Sequence, residues 1–358
     1  MSFHLRSSDE DFLVLGIESS CDETAAAVVS SSKKILSNVI YSQISEHKKF
    51  NGVVPEIAAR AHLEKIDYVV RTALSDANVK IPDLSAIAGT CGPGLIGGVI
   101  VGANFSKGIS LVSGLPFIAV NHIEAHALTV RLTDNNIKFP YLLLLASGGH
   151  CQLCIVYSFD DFEVIGRTLD DSIGESFDKV AKMLNLGYPG GPLVEKMALK
   201  GNEQRFLFPH PLCNKSSIDF SFSGLKTAVK IAAEKERNTN LSELSEQNKA
   251  DICASFQKTV ADILLYKMNQ AFEYCENHDI LFNTAVIAGG VAANKYIRNA
   301  LNNLCIKRNI RFVAPPVSLC TDNGAMIAWM GVEKFSKGLF NSLDFQPRPR
   351  WPLSSKKS

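Results

Sequence analysis

The stretch that decides the fold is FLVLGIESSCDETAAAVVS, residues 12–30. Two apolar runs flank a polar segment that extends from Glu18 to Glu23, a pattern that predicts strand, turn, strand. A second stretch, YLLLLASGGHCQLCIVY at residues 141–157, repeats the pattern around the turn Ser147-Gly148-Gly149-His150. This weak internal repeat implies two similar halves.

Strands and helices are predicted to alternate after each hairpin. Residues 86–89 and 284–288 have the composition of buried strands, and the helical stretches 97–111 and 295–304 follow them. This alternation favours α/β layers over an all-helical fold, and the cleft between the halves is the expected ligand site. We expect a first subdomain of residues 1–135 plus a C-terminal helix at about 325–345, and a second of residues 136–324.

Composition limits the function classes. The 358 residues are 46% apolar and 20% charged, which is typical of a globular protein rather than a disordered one. The formal net charge of +1 indicates that any nucleic-acid contact uses local basic patches. Nine cysteines without a signal peptide predict a reducing compartment, the cytoplasm. The short leader contains Asp9, Glu10 and Asp11, which argues against a mitochondrial transit peptide.

Four segments have simple interpretations. Residues 94–120 are poor in charge, but the break at Gly114 and Pro116 divides them into a helix and a strand, so no segment is expected to span a membrane. Residues 235–248 are polar and predict a surface connector. The prolines of residues 347–352 predict an extended tail. Cys151 and Cys154 fall in a strand, where positions three apart face opposite sides, which disfavours a metal or redox pair.

The segment Asn121-His122-Ile123-Glu124-Ala125-His126 carries a candidate metal site. Asn121 is a helix-capping residue, with Glu124 three residues later as in a capping box. His122 and His126 then lie one turn apart on one helix face, the spacing of two imidazoles that bind one metal ion. Glu124 is about 200° around the helix from His122, so the general base of a zinc protease is poorly supported.

Asp322 is the candidate third ligand. It lies in a polar turn that precedes an apolar helix, and two histidines with a carboxylate form a site with open positions for substrate oxygens. Asp322 reads equally well as the N-cap of that helix, and its two oxygens allow both roles.

Glycine-rich turns indicate nucleotide binding. Gly289 and Gly290 follow an apolar strand, where paired glycines let a flat base approach the backbone. Residues 170–179 and 187–192 are also dense in glycine and polar residues, which rarely serve packing alone. Two α/β halves that open on hairpins with polar tips resemble the duplicated RNase H-like, actin-like (ASKHA) fold, in which such tips grip phosphates.

Nine segments follow one another along the chain: GIESSCDETAAAVV, PEIAARAHLE, GPGLIGGVIVGANFSKGIS, NHIEAH, LLASGGHCQL, GESFDKVAKMLNLGYPGGP, DFSFSGLKTAV, AGGVAAN and CTDNGAMIAW. Together, in this order, they resemble the TsaD family over residues 14–331. The resemblance implies transfer of threonylcarbamoyl from threonylcarbamoyl-AMP to N6 of the adenosine 3′ of the anticodon, position 37, in tRNAs that read ANN codons. The product is N6-threonylcarbamoyladenosine (t6A).

The resemblance also assigns residues and partners. It implies that His122, His126 and Asp322 are the ligands of one divalent metal ion, with Fe²⁺ favoured and Zn²⁺ possible. It implies no association with a membrane. It further implies a TsaB-like paralogue as heterodimer partner, with helical faces near residues 55–63 as docking surfaces, and a TsaE-like ATPase. The implied contacts to the adenylate are Leu145, Ala146, Ser147, Gly148, Gly149, Asp178, Gly191 and Asn294. Glu195 is a ribose contact in some relatives and is left unassigned.

Two departures from the family pattern are Ala125 in place of glycine and Cys151 in place of threonine. The alanine adds only a methyl group, so ligation by the histidines should survive. Three other functions compete: an ATPase or sugar kinase of the same architecture with Asp22 as its carboxylate, a metalloprotease, and a non-catalytic nucleotide-binding scaffold. The histidine pair would be idle in a kinase.

Overall fold

The chain forms two compact units. The computed structural model describes residues 11–50, 52–213, 216–240 and 244–353. Among the described residues, unit 1 comprises those up to Asn136 and those from Thr321 onward, and unit 2 comprises those between Ile137 and Cys320. The expected division placed residues 321–324 in the second half, whereas they belong to unit 1. The reason is that the helix that begins at Gly324 packs against the first strands of unit 1.

Unit 1 is built on a five-stranded mixed sheet of order β3-β2-β1-β4-β5. The first three strands are antiparallel neighbours, and β4 and β5 continue the sheet in parallel to β1. Its elements are β1 (Leu13–Glu18), β2 (Glu23–Ser30), β3 (Ile35–Ser42), α1 (Ile44–His47), α2 (Pro55–Asp76), β4 (Ala86–Gly92), α3 (Ile96–Ser113), β5 (Phe117–Asn121) and α4 (His122–Thr133).

Unit 2 repeats this topology, with the sheet order β10-β9-β6-β7-β8. Here β6, β7 and β8 are antiparallel, and β9 and β10 continue in parallel, so the internal repeat predicted from the two hairpins is confirmed. Its elements are β6 (Tyr141–Ala146), β7 (Cys151–Ser158), β8 (Asp161–Arg167), α5 (Ile173–Met183), α6 (Gly190–Ala198), α7 (Ser223–Asn240), α8 (Glu246–Asn277), β9 (Thr284–Ala288), α9 (Lys295–Lys307) and β10 (Arg311–Val313).

The last helix, α10 (Gly324–Phe335), returns to unit 1 and packs on β1, β2 and α4. Helix α2 also packs on β2, and α3 packs on β4. Helical cover of this kind explains why β1 and β2 are nearly continuous apolar runs rather than alternating ones. Two glycines set the close approach of α10: a Cβ on Gly16 would overlap the backbone of Gly324 and Ala328, and a Cβ on Gly324 would overlap that of Ala26 and Ala27.

The core of unit 2 lies between its sheet and the helices α5 to α9. Phe177 and Phe256 meet edge to face at 5.0 Å in this core, and Phe220 and Phe222 are fully buried. Large buried aromatic side chains of this type dominate the burial free energy of a domain. They fix the helices whose N-termini carry the glycine-rich turns.

Two predictions of secondary structure need correction. The C-terminal helix predicted at about 325–345 ends at Phe335, after which the chain is irregular. Residues 235–240, predicted to be part of a connector, form the last turns of α7, and α8 begins at Glu246 after the N-cap Ser245. Residues 241–243 and the leader up to residue 10 lie outside the described residues.

Helix α3 bears on the prediction that no segment spans a membrane. The break at Gly114 is confirmed, because that residue is the left-handed C-cap of α3 and β5 follows. By length and composition alone, however, α3 is able to cross a membrane. This is weak evidence, since core helices of water-soluble proteins meet the same criteria, and α3 packs on α2 and β4.

The C-terminal tail is extended, as its prolines predict, and lies against unit 1. Arg348 N donates to Cys91 O at 2.7 Å, and Gly94 N donates to Pro349 O at 3.2 Å. Asn121 Nδ2 donates to Trp351 O at 3.1 Å. The tail therefore contacts the residue that caps α4, the helix that carries both histidines.

Candidate functional site

The two histidines occupy the first turns of α4, and the cap of this helix sets their position. Asn121 Oδ1 accepts hydrogen bonds from Ile123 N at 2.9 Å and from Glu124 N at 3.4 Å, which confirms Asn121 as the N-cap. Helix α4 consequently begins at His122, and His126 follows one turn later on the same face. Both side chains are buried, and their ring centroids are 4.7 Å apart.

Asp322 meets both histidines within unit 1. Its Oδ1 lies 3.0 Å from His126 Nε2 and 3.5 Å from His122 Nε2. The alternative reading of Asp322 as the N-cap of α10 is wrong, because Asn323 has that role and accepts a hydrogen bond from Met326 N at 3.0 Å. The three candidate ligand residues therefore belong to one unit, rather than to two halves that converge across a cleft.

The donor set fits one divalent metal ion. One ligand atom from each of His122, His126 and Asp322 lies within 4.8 Å of the other two. Metal–nitrogen and metal–oxygen bonds of about 2.0–2.2 Å at tetrahedral angles place ligand atoms about 3.3–3.6 Å apart. The Nε2 to Oδ1 distances of 3.0 and 3.5 Å are close to this spacing, so small side-chain movements suffice for coordination.

The environment of these ligands attracts cations. Burial disfavours the charged form of His122, but the carboxylates of Asp322 and Glu18 outweigh burial and raise the pKa of His122 to about 9. The pKa of Glu23 is raised well above its ordinary value by burial and by the negative charges of Asp322 and Asp22. A cation held at this point of unit 1 would offset the negative charge of these carboxylates.

Glu124 does not take part in the cluster. Its Oε2 lies 3.7 Å from Lys334 Nζ on α10, and Lys334 also donates to Ala119 O at 3.0 Å. This partner is consistent with the predicted angle of about 200° between Glu124 and His122 around the helix. The arrangement of a zinc protease, with the glutamate beside the metal, is therefore not present in α4.

In unit 2 the turn after β6 is held by two glycines. Gly289, at φ 90°, follows β9, and a Cβ there would lie 2.5 Å from Ala146 O and 3.1 Å from Ser147 Cβ. A Cβ on Gly174 in α5 would lie 2.8 Å from Ser147 O and from Gly148 Cα. Both positions need glycine because the backbones touch. Residues 145–149 are thereby packed against the N-terminus of α5 and the start of the segment that leads to Asn294.

The other predicted adenylate contacts lie on the neighbouring helices. Asp178 on α5 accepts a hydrogen bond from Gly190 N at 2.7 Å, which places Gly191 in the first turn of α6. Asn294 caps α9 by accepting from Ile297 N at 3.0 Å, and it donates to Gln257 Oε1 on α8 at 2.8 Å. The helices that carry these residues pack on one another, α5 on α6 and α8 on α6 and α9.

A cavity of about 490 Å³ adjoins this cluster between α6, α8 and α9. This volume is within the range of small-molecule sites. Glu195 and Gln257 line it, and so do Lys295 and Pro192, which directly follow the predicted contacts Asn294 and Gly191. Glu195 Oε1 accepts from Lys295 N at 2.7 Å.

Sequence reasoning missed the residues that surround His122. Glu18 Oε2 lies 3.0 Å and Ser20 Oγ 3.1 Å from His122 Nδ1, and Thr90 donates to the same Glu18 oxygen at 2.6 Å. The available signal was a glutamate, fully buried in the structure, at the end of an apolar strand. Its partner is 104 residues away in the chain, so no local pattern identifies it.

The solved structures that resemble this chain share its fold. HypF from T. kodakarensis superposes with a TM-score of 0.60 at 14% identity, over 92% of this chain and 48% of HypF. The (R)-2-hydroxyglutaryl-CoA dehydratase component A of Acidaminococcus fermentans superposes with a TM-score of 0.52 at 15% identity, over 91% of this chain and 99% of that protein. The fold class is therefore the predicted two-domain ASKHA α/β fold.

Sequence comparison gives the family. The family model described as "TsaD: tRNA N6-adenosine threonylcarbamoyltransferase" matches residues 34–329. Proteins named tRNA N6-adenosine threonylcarbamoyltransferase are 54% identical in Brucella anthropi and 53% identical in Brucella canis, each over 349 residues and 96% of both chains. The chain belongs to the TsaD family, a family of acyltransferases that modify tRNA.

Proposed function

We propose that this chain transfers the threonylcarbamoyl group of threonylcarbamoyl-AMP to N6 of adenosine 37 in tRNAs that read ANN codons, forming t6A. Membership of the TsaD family supports the reaction. The observation that carries the mechanism is the convergence of His122, His126 and Asp322 in unit 1. A kinase or a non-catalytic scaffold has no use for this cluster.

Unit 2 supplies the contacts to the adenylate in this proposal. The end of β6 and the turn that follows it are packed against Gly174 and Gly289, and the exposed glycine backbone of the turn suits a phosphate. The residues of this segment are Leu145, Ala146, Ser147, Gly148 and Gly149. Asp178, Gly191 and Asn294 complete the set on α5, α6 and the cap of α9. The adjoining cavity of about 490 Å³ has room for a nucleoside.

The cofactor in this proposal is one divalent ion held by His122, His126 and Asp322. Two imidazoles and one carboxylate form the donor set of non-haem Fe²⁺ sites, and Zn²⁺ accepts the same ligands. We favour Fe²⁺. When bound, the ion supplies Lewis-acid polarisation of carbamoyl and phosphate oxygens.

The protein's own part is to bind, orient and neutralise charge. The donor is a mixed carbamic–phosphoric anhydride. Its carbonyl carbon forms a bond to the adenosine N6 amine, the bond to the phosphate oxygen breaks to release AMP, and one amine proton is lost to solvent. Backbone N–H groups at the turn of residues 147–149 are suited to hold the departing phosphate. We assign no general base, because Glu124 is paired with Lys334.

The partners in this proposal are tRNA, threonylcarbamoyl-AMP, a TsaB-like paralogue and a TsaE-like ATPase, in the cytoplasm and without a membrane. The docking surface for the paralogue in this proposal is the helical face near residues 55–63 of α2, by analogy with the family. Leu63 at its end is 70% exposed.

The test replaces one ligand. His126→Ala should lose the bound metal and abolish transfer from synthetic threonylcarbamoyl-AMP to tRNA, with an unchanged circular dichroism spectrum. His278→Ala, which removes an exposed imidazole at the end of α8, is the matched control and should keep both properties. Wild-type transfer by His126→Ala would refute the metal mechanism. Failure of the unmodified chain to form t6A with its partners, ATP, threonine and bicarbonate would refute the function.

A further inference from the structure

We infer that Glu18 is a positioning residue for the metal site, which holds His122 with its Nε2 lone pair directed at the ion. The inference rests on the proposed function, since it concerns the same metal. Glu18 belongs to β1 and is not among the site residues predicted from the sequence. Its role follows from three contacts of its carboxylate.

The Glu18 carboxylate is fixed from several sides. It is completely buried at the end of β1. Oε1 accepts from Ser20 N at 2.5 Å, and Oε2 accepts from Thr90 Oγ1 on β4 at 2.6 Å. The parallel pairing of β1 with β4 sets the distance to Thr90. A carboxylate held in this way has little freedom to follow a moving ring.

The third contact determines the orientation of His122. Glu18 Oε2 lies 3.0 Å from His122 Nδ1, and an ionised carboxylate only accepts hydrogen bonds. Nδ1 must therefore carry the hydrogen in this contact. In the neutral form of the ring, which is the form that binds a metal, the free electron pair is then on Nε2. Nε2 is the atom that faces Asp322, at 3.5 Å. The ring thus joins Glu18 on one side to the metal ligands on the other.

A carboxylate bonded to the far nitrogen of a metal-bound histidine raises the basicity of that ligand and fixes its tautomer. Ser20 Oγ, at 3.1 Å from the same Nδ1, is able either to donate or to accept, so it does not select a tautomer by itself. Selection therefore depends on Glu18. Removal of the carboxylate should weaken metal binding even though Glu18 does not touch the ion.

The experiment titrates the full metal-free chain with Co²⁺ alone and follows the visible d–d absorption. Glu18→Gln keeps the shape of the side chain. Its amide NH₂ group only donates hydrogen bonds, however, and must face one of the three donors Ser20 N, Thr90 Oγ1 and His122 Nδ1. Glu18→Ala removes all these contacts. We expect the dissociation constant for Co²⁺ to rise about 10-fold to 100-fold in both variants, with a changed absorption spectrum.

Glu124→Gln is the matched control, because Glu124 is a buried carboxylate of α4 itself but contacts Lys334. Its dissociation constant for Co²⁺ should lie within about twofold of that of the wild-type chain. Thermal unfolding of each variant shows whether a lower affinity for Co²⁺ is due to loss of the fold. If Glu18→Ala does not fold, the result for Glu18→Gln decides. If a folded Glu18→Gln variant has the wild-type affinity for Co²⁺ and the wild-type spectrum, the inference is overturned. The metal site itself would still stand if His126→Ala loses the bound metal. If the wild-type chain itself does not bind Co²⁺, both the inference and the metal mechanism fail.

Discussion

The substitution Gly16→Ala should disrupt the metal site without touching any ligand. Gly16 lies in β1 where α10 crosses, and a Cβ there would lie 2.6 Å from Gly324 O and 2.7 Å from Ala328 Cα. Ala328 N lies closer still, and ordinary contacts begin at 3.4 Å, so α10 must retreat by at least about 0.8 Å. Asp322 immediately precedes the cap of this helix and should move with it.

The magnitude follows from the tolerance of metal coordination. Bond lengths in a functional metal site vary by about 0.2 Å, so a displacement of about 0.8 Å in the position of Asp322 would break or strain its bond to the ion in the proposed site. Misplacement of about 1 Å costs about 100-fold in rate. Overpacking alone should also lower the free energy of unfolding by about 1–3 kcal/mol.

The assay compares Co²⁺ affinity, t6A formation and urea unfolding of the Gly16→Ala variant with those of the wild-type chain. Gly108→Ala is the control, because a Cβ at that position of α3 meets nothing within 4 Å. It should leave the site intact and stabilise the chain by about 0.5–1 kcal/mol. A Gly16→Ala variant that binds metal and modifies tRNA at wild-type levels would refute the claim that the β1–α10 contact positions Asp322.

Two further substitutions test unit 2. Gly289→Ala adds a Cβ 2.5 Å from Ala146 O at φ 90°, so it should weaken adenylate binding at least 10-fold, measured by calorimetry, while Co²⁺ affinity stays unchanged. Equal weakening of both ligands would contradict the assignment of the adenylate to unit 2 alone. Asp251→Asn tests a hydrogen-bonded carboxylate. Burial raises the pKa of Asp251, but hydrogen bonds from Asn202 N, Arg205 and Gln247 outweigh burial and hold this pKa below 3.8. At pH 7 the free energy of unfolding of the wild-type chain should therefore exceed that of the variant by about 1.5–3 kcal/mol. This difference should disappear as the pH falls below 3.8 and through the lowered pKa that Asp251 has in the folded state. A difference that persists at pH 2 would show that the carboxylate charge is not its source.

Local patterns were sufficient for most elements of the fold. Apolar runs that flank a polar turn predicted both hairpins, and the antiparallel pairing of β1 with β2 and of β6 with β7 confirms them. The N-cap Asn121 and the spacing of His122 and His126 are also local, since both depend on helix geometry over one turn. The prediction failed where propensity is weak, as at the polar end of α7.

The amino-acid sequence by itself determined the two α/β halves, the family motifs and the pair of histidines on one helix face, because each of these depends on residues close in the chain. Only the tertiary structure decided which unit Asp322 joins, that Asn323 rather than Asp322 caps α10, and that Glu18 faces His122. The contact of His126 with Asp322 spans 196 residues and that of His122 with Glu18 spans 104. Such contacts depend on strand pairing and on the close approach of α10 at Gly16 and Gly324, and helix or strand periodicity carries no information about either.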